Sequence, residues 1–127
     1  HAHLTNSDLR GAKLNKALLR NAWLDTSDMT DADLSYTDLT NARLNDANLT
    51  GTDFTSSNLT DASFWNANLS GANLEGANLT AAYLLGANLR HADLRDANLT
   101  SANLTNTDLS GANLKGTIGL PEHLKPS

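Results

Sequence analysis

The chain has 127 residues, a formal net charge of −5, 39% hydrophobic residues and no cysteine. This length suits one domain, and the lack of thiols excludes a disulfide framework, thiol catalysis and a cysteine metal site. The negative charge argues against sequence-independent binding to nucleic-acid phosphates, and no apolar run reaches transmembrane length.

A large apolar residue occupies every fifth position from Leu4 to Leu114, in 23 consecutive blocks. This residue is Leu in 20 blocks and Met29, Phe54 or Phe64 in the rest, while the residue two places earlier is Ala in 17 blocks and Ser or Thr in 6. We name the five positions of a block, in chain order, small, pre-centre, centre, post-centre and corner. Neither a helix nor ordinary strand alternation has this period, so the repeat predicts a solenoid whose units stack on their neighbours.

The blocks follow the consensus A-(D/N)-L-x-x, as in ADLSY at 32–36, ANLSG at 67–71 and ANLTS at 97–101. This pattern resembles the pentapeptide repeat proteins over about nine-tenths of the chain. The resemblance implies an all-β fold, a right-handed quadrilateral β-helix of about six coils with four blocks in each coil. Centre and small residues would then point inward, in agreement with the restriction of residue type in these two columns. Glycine recurs at the corner position, which indicates unusual backbone dihedrals there.

The repeat stops at Gly119, where the next centre would stand. We therefore assign residues 1–116 to the β-helix and residues 117–127 to a short helical C-terminal cap. Ile118, Leu120 and Leu124 would supply the apolar contacts of this cap, and Pro121 is placed to begin its helix.

No comparable cap segment precedes the repeat in this sequence, so the first coil is expected to expose one apolar side. Either a cap preceded His1, or two copies meet at this end to form a homodimer, or the first coil is simply frayed. The compartment stays open between the cytoplasm and, if a cleaved export signal rather than a trimmed tag preceded His1, the periplasm or thylakoid lumen.

One of the four faces differs from the others. We call it the aromatic face, and its centres are Leu4, Leu24, Leu44, Phe64, Leu84 and Leu104. Asp or Asn fills one of its six pre-centre positions, against 15 of 17 on the other faces. Trp23, Arg43 and Tyr83 occupy pre-centre positions of this face instead. Two more bulky residues, Trp65 and Leu85, occupy its post-centre positions.

Exposed aromatic residues beside an arginine are typical of an interface hot spot. We therefore predict that these five residues bind a protein partner or a second copy of the chain. Trp23 and Arg43 are expected to form a cation–π pair. Cross-strand packing on a solvated sheet is the alternative interpretation.

The repeat predicts no catalytic, cofactor or metal site. The four histidines have no second ligand at metal-site spacing, and the aspartates face outward from a convex rod without a cleft to perturb their pKa values. We therefore predict a non-enzymatic scaffold that binds an unidentified protein and contacts neither nucleic acid nor a membrane, like the small cyanobacterial and bacterial members of the family.

An acidic DNA mimic that inhibits DNA gyrase is the alternative, since some pentapeptide repeat proteins act in this way. Residues 21–61 contain eight Asp and one Arg. However, Asp25, Asp28, Asp33 and Asp38 fall on four different faces rather than in one stripe, and both ends of the chain are basic.

Overall fold

A computed structural model describes residues 1–125 as a four-sided coil. The backbone pairs in parallel at pre-centre positions, and every pair joins residues twenty apart, as in His3 with Trp23 and Asp8 with Asp28. Four such series run the length of the molecule, beginning at His3, Asp8, Lys13 and Leu18. Each face is thus a narrow parallel sheet of single-residue bridges, and the predicted four-sided β-helix is confirmed.

The centre and small residues form the interior, as predicted. From Ala22 to Leu99 every residue in these two columns is at most 2% exposed. Phe54 and Phe64 enter from opposite faces and meet edge to face, with ring centroids 6.2 Å apart and planes at 88°. The longer aromatic side chains therefore reach across the axis of the rod and fill its middle.

Serine and threonine can replace alanine at the small position because their hydroxyls find partners inside. The hydroxyls of Ser27, Thr37 and Ser57 donate to the carbonyl oxygen of the preceding centre residue at 2.6–2.8 Å. A buried hydroxyl without such a bond would cost a large desolvation penalty.

The corners have a left-handed backbone in every block, including those without glycine. The angle φ is positive at all corner residues, from Asn6 to Gly116, and the main-chain N–H three residues after the centre donates to the carbonyl oxygen of that centre in every block except the one centred on Leu34. Positive φ at the third residue alone is the mark of a type II turn. The sequence indicated unusual dihedrals only through its glycines, whereas the turn imposes them even on Thr26 and Tyr36.

The two end coils are less covered than the middle. Leu4, Leu9, Leu14 and Leu19 of the first coil are only partly buried, as expected for a coil with one bare side. The centre residues of the last coil, Leu104, Leu109 and Leu114, are also partly buried.

The tail lies against the last coil. Leu120 is 7% exposed and joins the core cluster, Leu124 packs against that cluster, and a 3-10 helix spans Glu122–Leu124 with Pro121 as its N-cap. Ile118 does not take part in this contact as we had expected, because it bridges to Asn98 at a pre-centre position and its side chain is 59% exposed. The parallel ladder therefore continues two residues beyond residue 116. Within residues 1–125 no helix has the length and hydropathy needed to cross a membrane.

Candidate protein-interaction surface

Asp and Asn at the pre-centre position have a structural role in this fold. In each of the 16 blocks with Asp or Asn there, the side-chain Oδ1 accepts the main-chain N–H of the post-centre residue at 2.9–3.2 Å. This local bond satisfies a donor that faces solvent at the start of each turn. The consensus residue thus stabilises the turn, and replacing it changes how the backbone is satisfied.

In the middle of the aromatic face, the main-chain N–H groups of the post-centre residues find their acceptors in the preceding coil of the chain. Oδ1 of Asp25 accepts the N–H of Asn45, and Oδ1 of Asn45 accepts the N–H of Trp65, each at 2.9 Å. Because post-centre side chains now supply the acceptors, the pre-centre column at these levels is free to hold Arg43 and Ser63. This compensation between coils could not be read from the repeat, although the Asp and Asn at 25 and 45 were its only sequence signal.

The N-terminal half of the face forms a closed stack. The ring of Trp23 lies 4.4 Å from that of His3 and 5.3 Å from that of His1, and the guanidinium carbon of Arg43 lies 5.0 Å from the Trp23 ring centroid. Arg43 also pairs with the carboxylate of Asp25. The predicted cation–π pair is therefore present, whereas the histidine stack was not foreseen. With neighbours in the coils on either side, Trp23 keeps 37% of its surface exposed.

The C-terminal half of the face is more open. Trp65 is 48% and Tyr83 is 45% exposed, and they stand in adjacent coils with Ser63 directly below Tyr83. Among the described residues, neither the Trp65 indole N–H nor the Tyr83 hydroxyl makes a hydrogen bond. Leu85 lies beside Tyr83 but is only partly exposed, so it contributes less free surface than we had expected.

The surface predicted from sequence therefore consists of two unequal parts. Trp23 and Arg43 are brought into contact, and Trp65, Tyr83 and Leu85 occupy neighbouring coils. The other exposed large apolar residues, Leu18, Tyr36 and Ile118, lie outside the aromatic face.

Comparison with known proteins decides the family. A family model for pentapeptide repeats matches in 8 copies, over residues 1–31, 27–66, 57–96 and 82–118. The chain belongs to the pentapeptide repeat family.

Solved structures of pentapeptide repeat proteins resemble this chain. A pentapeptide repeat protein from Nostoc Pcc 7120 is 39% identical, with a TM-score of 0.67 over 80% of this chain and 83% of that one. QnrB1, a plasmid-mediated fluoroquinolone resistance protein, is 19% identical, with a TM-score of 0.86 over 91% of this chain. This chain spans only 58% of the QnrB1 structure, so that likeness concerns the fold alone. No curated protein matches in a sequence search.

The pentapeptide repeats also set the ionisation of the aspartates. Two bonds of 2.8 Å from the Arg10 side chain and one from its main-chain N–H lower the pKa of Asp8 to about 2. Hydrogen bonds from Thr30, Ser35 and Thr40, each through its side chain and its main-chain N–H, lower the pKa values of the preceding pre-centre aspartates. The same direction holds for Asp93 beside Arg95 and for Asp108 beside Ser110.

These lowered pKa values predict loss of stability in acid. A carboxylate with a folded-state pKa below its unfolded value of about 3.9 stabilises the fold above that pH, and the contribution is lost as pH falls through the folded value. We expect the melting temperature to be constant above about pH 5 and to fall from about pH 4 towards pH 2, measured by circular dichroism.

The matched control replaces six aspartates by asparagine, which keeps the Oδ1 acceptor and is already present at other pre-centre positions. The six are Asp8, Asp28, Asp33, Asp38, Asp93 and Asp108. The acid slope of the melting temperature should flatten in this variant. Equal slopes in the two proteins would show that other groups govern acid unfolding.

Proposed function

We propose that this protein is a non-enzymatic scaffold that binds a protein partner through its aromatic face. The observation that carries the proposal is the exposure of aromatic side chains where that face departs from the consensus. Asp or Asn is absent from five of its six pre-centre positions, and Trp23 and Tyr83 occupy two of these. Together with Trp65 at a post-centre position, they are 37–48% exposed. Cross-strand packing on a solvent-exposed sheet does not explain why large aromatic side chains remain this exposed. The core of a protein interface, in contrast, is enriched in aromatic residues.

The cavities of the molecule support a role other than catalysis. Two cavities of about 370 and 380 Å³ flank the tail at the C-terminal end. His123 is the one titratable residue lining the first, and Lys115 and Lys125 are those lining the second. No hydroxyl lining either cavity is hydrogen-bonded to a histidine or lysine in the described structure, and among residues 1–125 no group of three His, Asp or Glu side chains could hold a metal ion.

Replacing Trp65 by alanine tests the proposal. Because this side chain lies outside the core, we expect an almost unchanged melting temperature. Binding to the partner should weaken by about 2 kcal/mol or more if Trp65 is a hot spot, which is about thirtyfold in affinity. Partners captured from cells of the source organism are to be quantified by mass spectrometry for wild type and variant.

Tyr36→Ala is the matched control, since Tyr36 is an exposed aromatic residue outside the aromatic face. A partner lost by Trp65→Ala and kept by Tyr36→Ala supports the proposal. Recovery of the same partners by all three proteins would reduce the aromatic face to packing on a solvated sheet. Trp23→Ala is less informative, because it also removes the stack with His3 and Arg43.

A second candidate is the acidic DNA mimic that inhibits DNA gyrase, and the charge distribution favours it. Every arginine of the chain forms an ion pair with a carboxylate, which weakens the positive charge of both ends. Most of the eight aspartates between residues 21 and 61 have no such partner in the described structure, so a belt around the second and third coils stays negative. Inhibition of gyrase supercoiling by the pure protein, undiminished in Trp65→Ala, would favour this candidate over the scaffold.

We also infer that the tail from Gly119 caps a right-handed β-helix at its C-terminal end. The buried Leu120 and the partly buried Leu124 support this role, because together they cover part of an apolar cross-section.

Deletion of residues 119–127 is expected to lower the melting temperature or cause end-to-end association, since the last coil becomes bare. Ile118 stays in this variant, so the ladder with Asn98 is kept. Melting curves and sedimentation velocity measure the two effects. Unchanged melting with a monomeric boundary would contradict the capping role.

A further inference from the structure

The open part of the aromatic face is too small to hold a folded partner by itself. Three residues across a strand and six coils at about 4.8 Å give the whole aromatic face an outline of roughly 10 by 28 Å, or about 300 Å², and the open part is about half of it. A stable interface buries about 800 Å² on each partner. A second copy seated on this face would therefore bury far too little surface, and a single extended segment is the occupant that fits the available area.

The chemistry of this part of the face is uncharged and rich in donors. Its outward residues in the last three coils carry no ionisable group that is charged near neutral pH: Ser63, Trp65, Tyr83, Leu85, Asn103 and Thr105. The Trp65 indole N–H and the Tyr83 hydroxyl have no acceptor among the described residues, and an indole can only donate. An uncharged ligand with free carbonyl oxygens complements such a surface.

The register places the two aromatic side chains at a separation that admits a ring between them. Trp65 and Tyr83 lie one coil apart along the rod, about 4.8 Å, and two residues apart across it, about 6.5 Å, which gives about 8 Å between their backbone positions. Ser63 lies beside both, and its small side chain donates its hydroxyl to Asn45 in the neighbouring coil, so it leaves the space between the two rings open.

We propose that Trp65 and Tyr83 form a recognition site for a proline-rich segment in the polyproline II conformation. Such a segment is extended and ordered before binding, its proline residues have no N–H to satisfy, and its carbonyl oxygens are free to accept from Trp65 and Tyr83. Aromatic residues that flank a proline ring are the usual means of recognising this conformation. The inference rests on the proposed function, because it names the kind of partner that the aromatic face binds.

Titration of the ¹⁵N-labelled protein with capped decaproline tests the site, with a Gly-Ser peptide of equal length as control. The chain has two tryptophans, so the indole N–H region contains two signals, which Trp23→Phe assigns. We expect the Trp65 signal to move with decaproline alone and the Trp23 signal to stay, because His3 and Arg43 stack on Trp23. Tyr83→Phe should lose about threefold to tenfold in affinity, Trp65→Ala at least tenfold, and Tyr36→Phe nothing. Melting curves verify that each variant is folded.

Two results would overturn the inference: no movement of the Trp65 signal with decaproline, or equal movement with both peptides. The proposed function fails separately. If Trp65→Ala loses its cellular partner while decaproline does not bind, the scaffold stands and proline recognition is wrong. If decaproline moves the Trp65 signal while the variant keeps every partner, the peptide site stands and the scaffold proposal is wrong.

Discussion

Replacing Phe64 by alanine is expected to lower the free energy of unfolding by about 3–5 kcal/mol, the range found for a buried Phe reduced to Ala. Phe64 is fully buried and contacts Phe54 edge to face across the axis of the rod. The backbone ladder on all four sides holds the walls of the coil apart, so the interior cannot collapse into the cavity. Denaturation by urea, followed by circular dichroism, measures the change.

Phe64→Leu is the matched control, because leucine is the usual centre residue of this chain. It should cost less than about 1.5 kcal/mol, as a conservative core exchange does. A double-mutant cycle with Phe54→Leu would isolate the ring contact at about 0.5–1.5 kcal/mol. If alanine and leucine at position 64 gave equal stability, the interior at this level would be looser than the contact indicates.

Deleting one residue should be far more harmful than deleting twenty. Removal of Thr50 shifts every later residue by one position, so Thr55, Thr60 and Glu75 would occupy centres. Each buried polar group without a partner costs about 1–3 kcal/mol, and keeping the old register instead would require breaking the turn at Gly51. We expect this variant to lose its β-helix from the deletion onward.

Removal of residues 41–60 takes out one whole coil and keeps every remaining residue in its column. The stability of a repeat protein is approximately a sum over repeats and their interfaces, so this variant should fold with a lower melting temperature. Far-UV circular dichroism measures the β-structure that each deletion variant keeps, and thermal melting compares their stabilities. A folded Thr50 deletion, or an unfolded deletion of 41–60, would contradict the column structure.

The candidate surface shows how far a sequence can lead. The loss of Asp and Asn from one pre-centre column identified the aromatic face, and the spacing of twenty placed Arg43 beside Trp23. The sequence did not show that His3 closes the other side of Trp23, that Leu85 is only partly exposed, or that Asn45 satisfies the N–H of Trp65. These are contacts between side chains whose rotamers depend on neighbours in adjacent coils.

The period of five by itself determined which residues are inside, because a fixed repeat of large and small apolar residues has one way to bury both columns. It also determined that a turn follows every centre residue. The glycines indicated only some of the positive φ angles, whereas the type II turn imposes them on every corner residue. The period does not determine how many blocks close a coil, since the inward-facing residues are of the same types in every block. The tertiary structure decided this, because parallel pairing between residues twenty apart satisfies the backbone donors and acceptors of adjacent coils. That closure brings Trp23, Arg43, Trp65 and Tyr83 onto one face, so the surface that we propose for binding exists only in the folded chain.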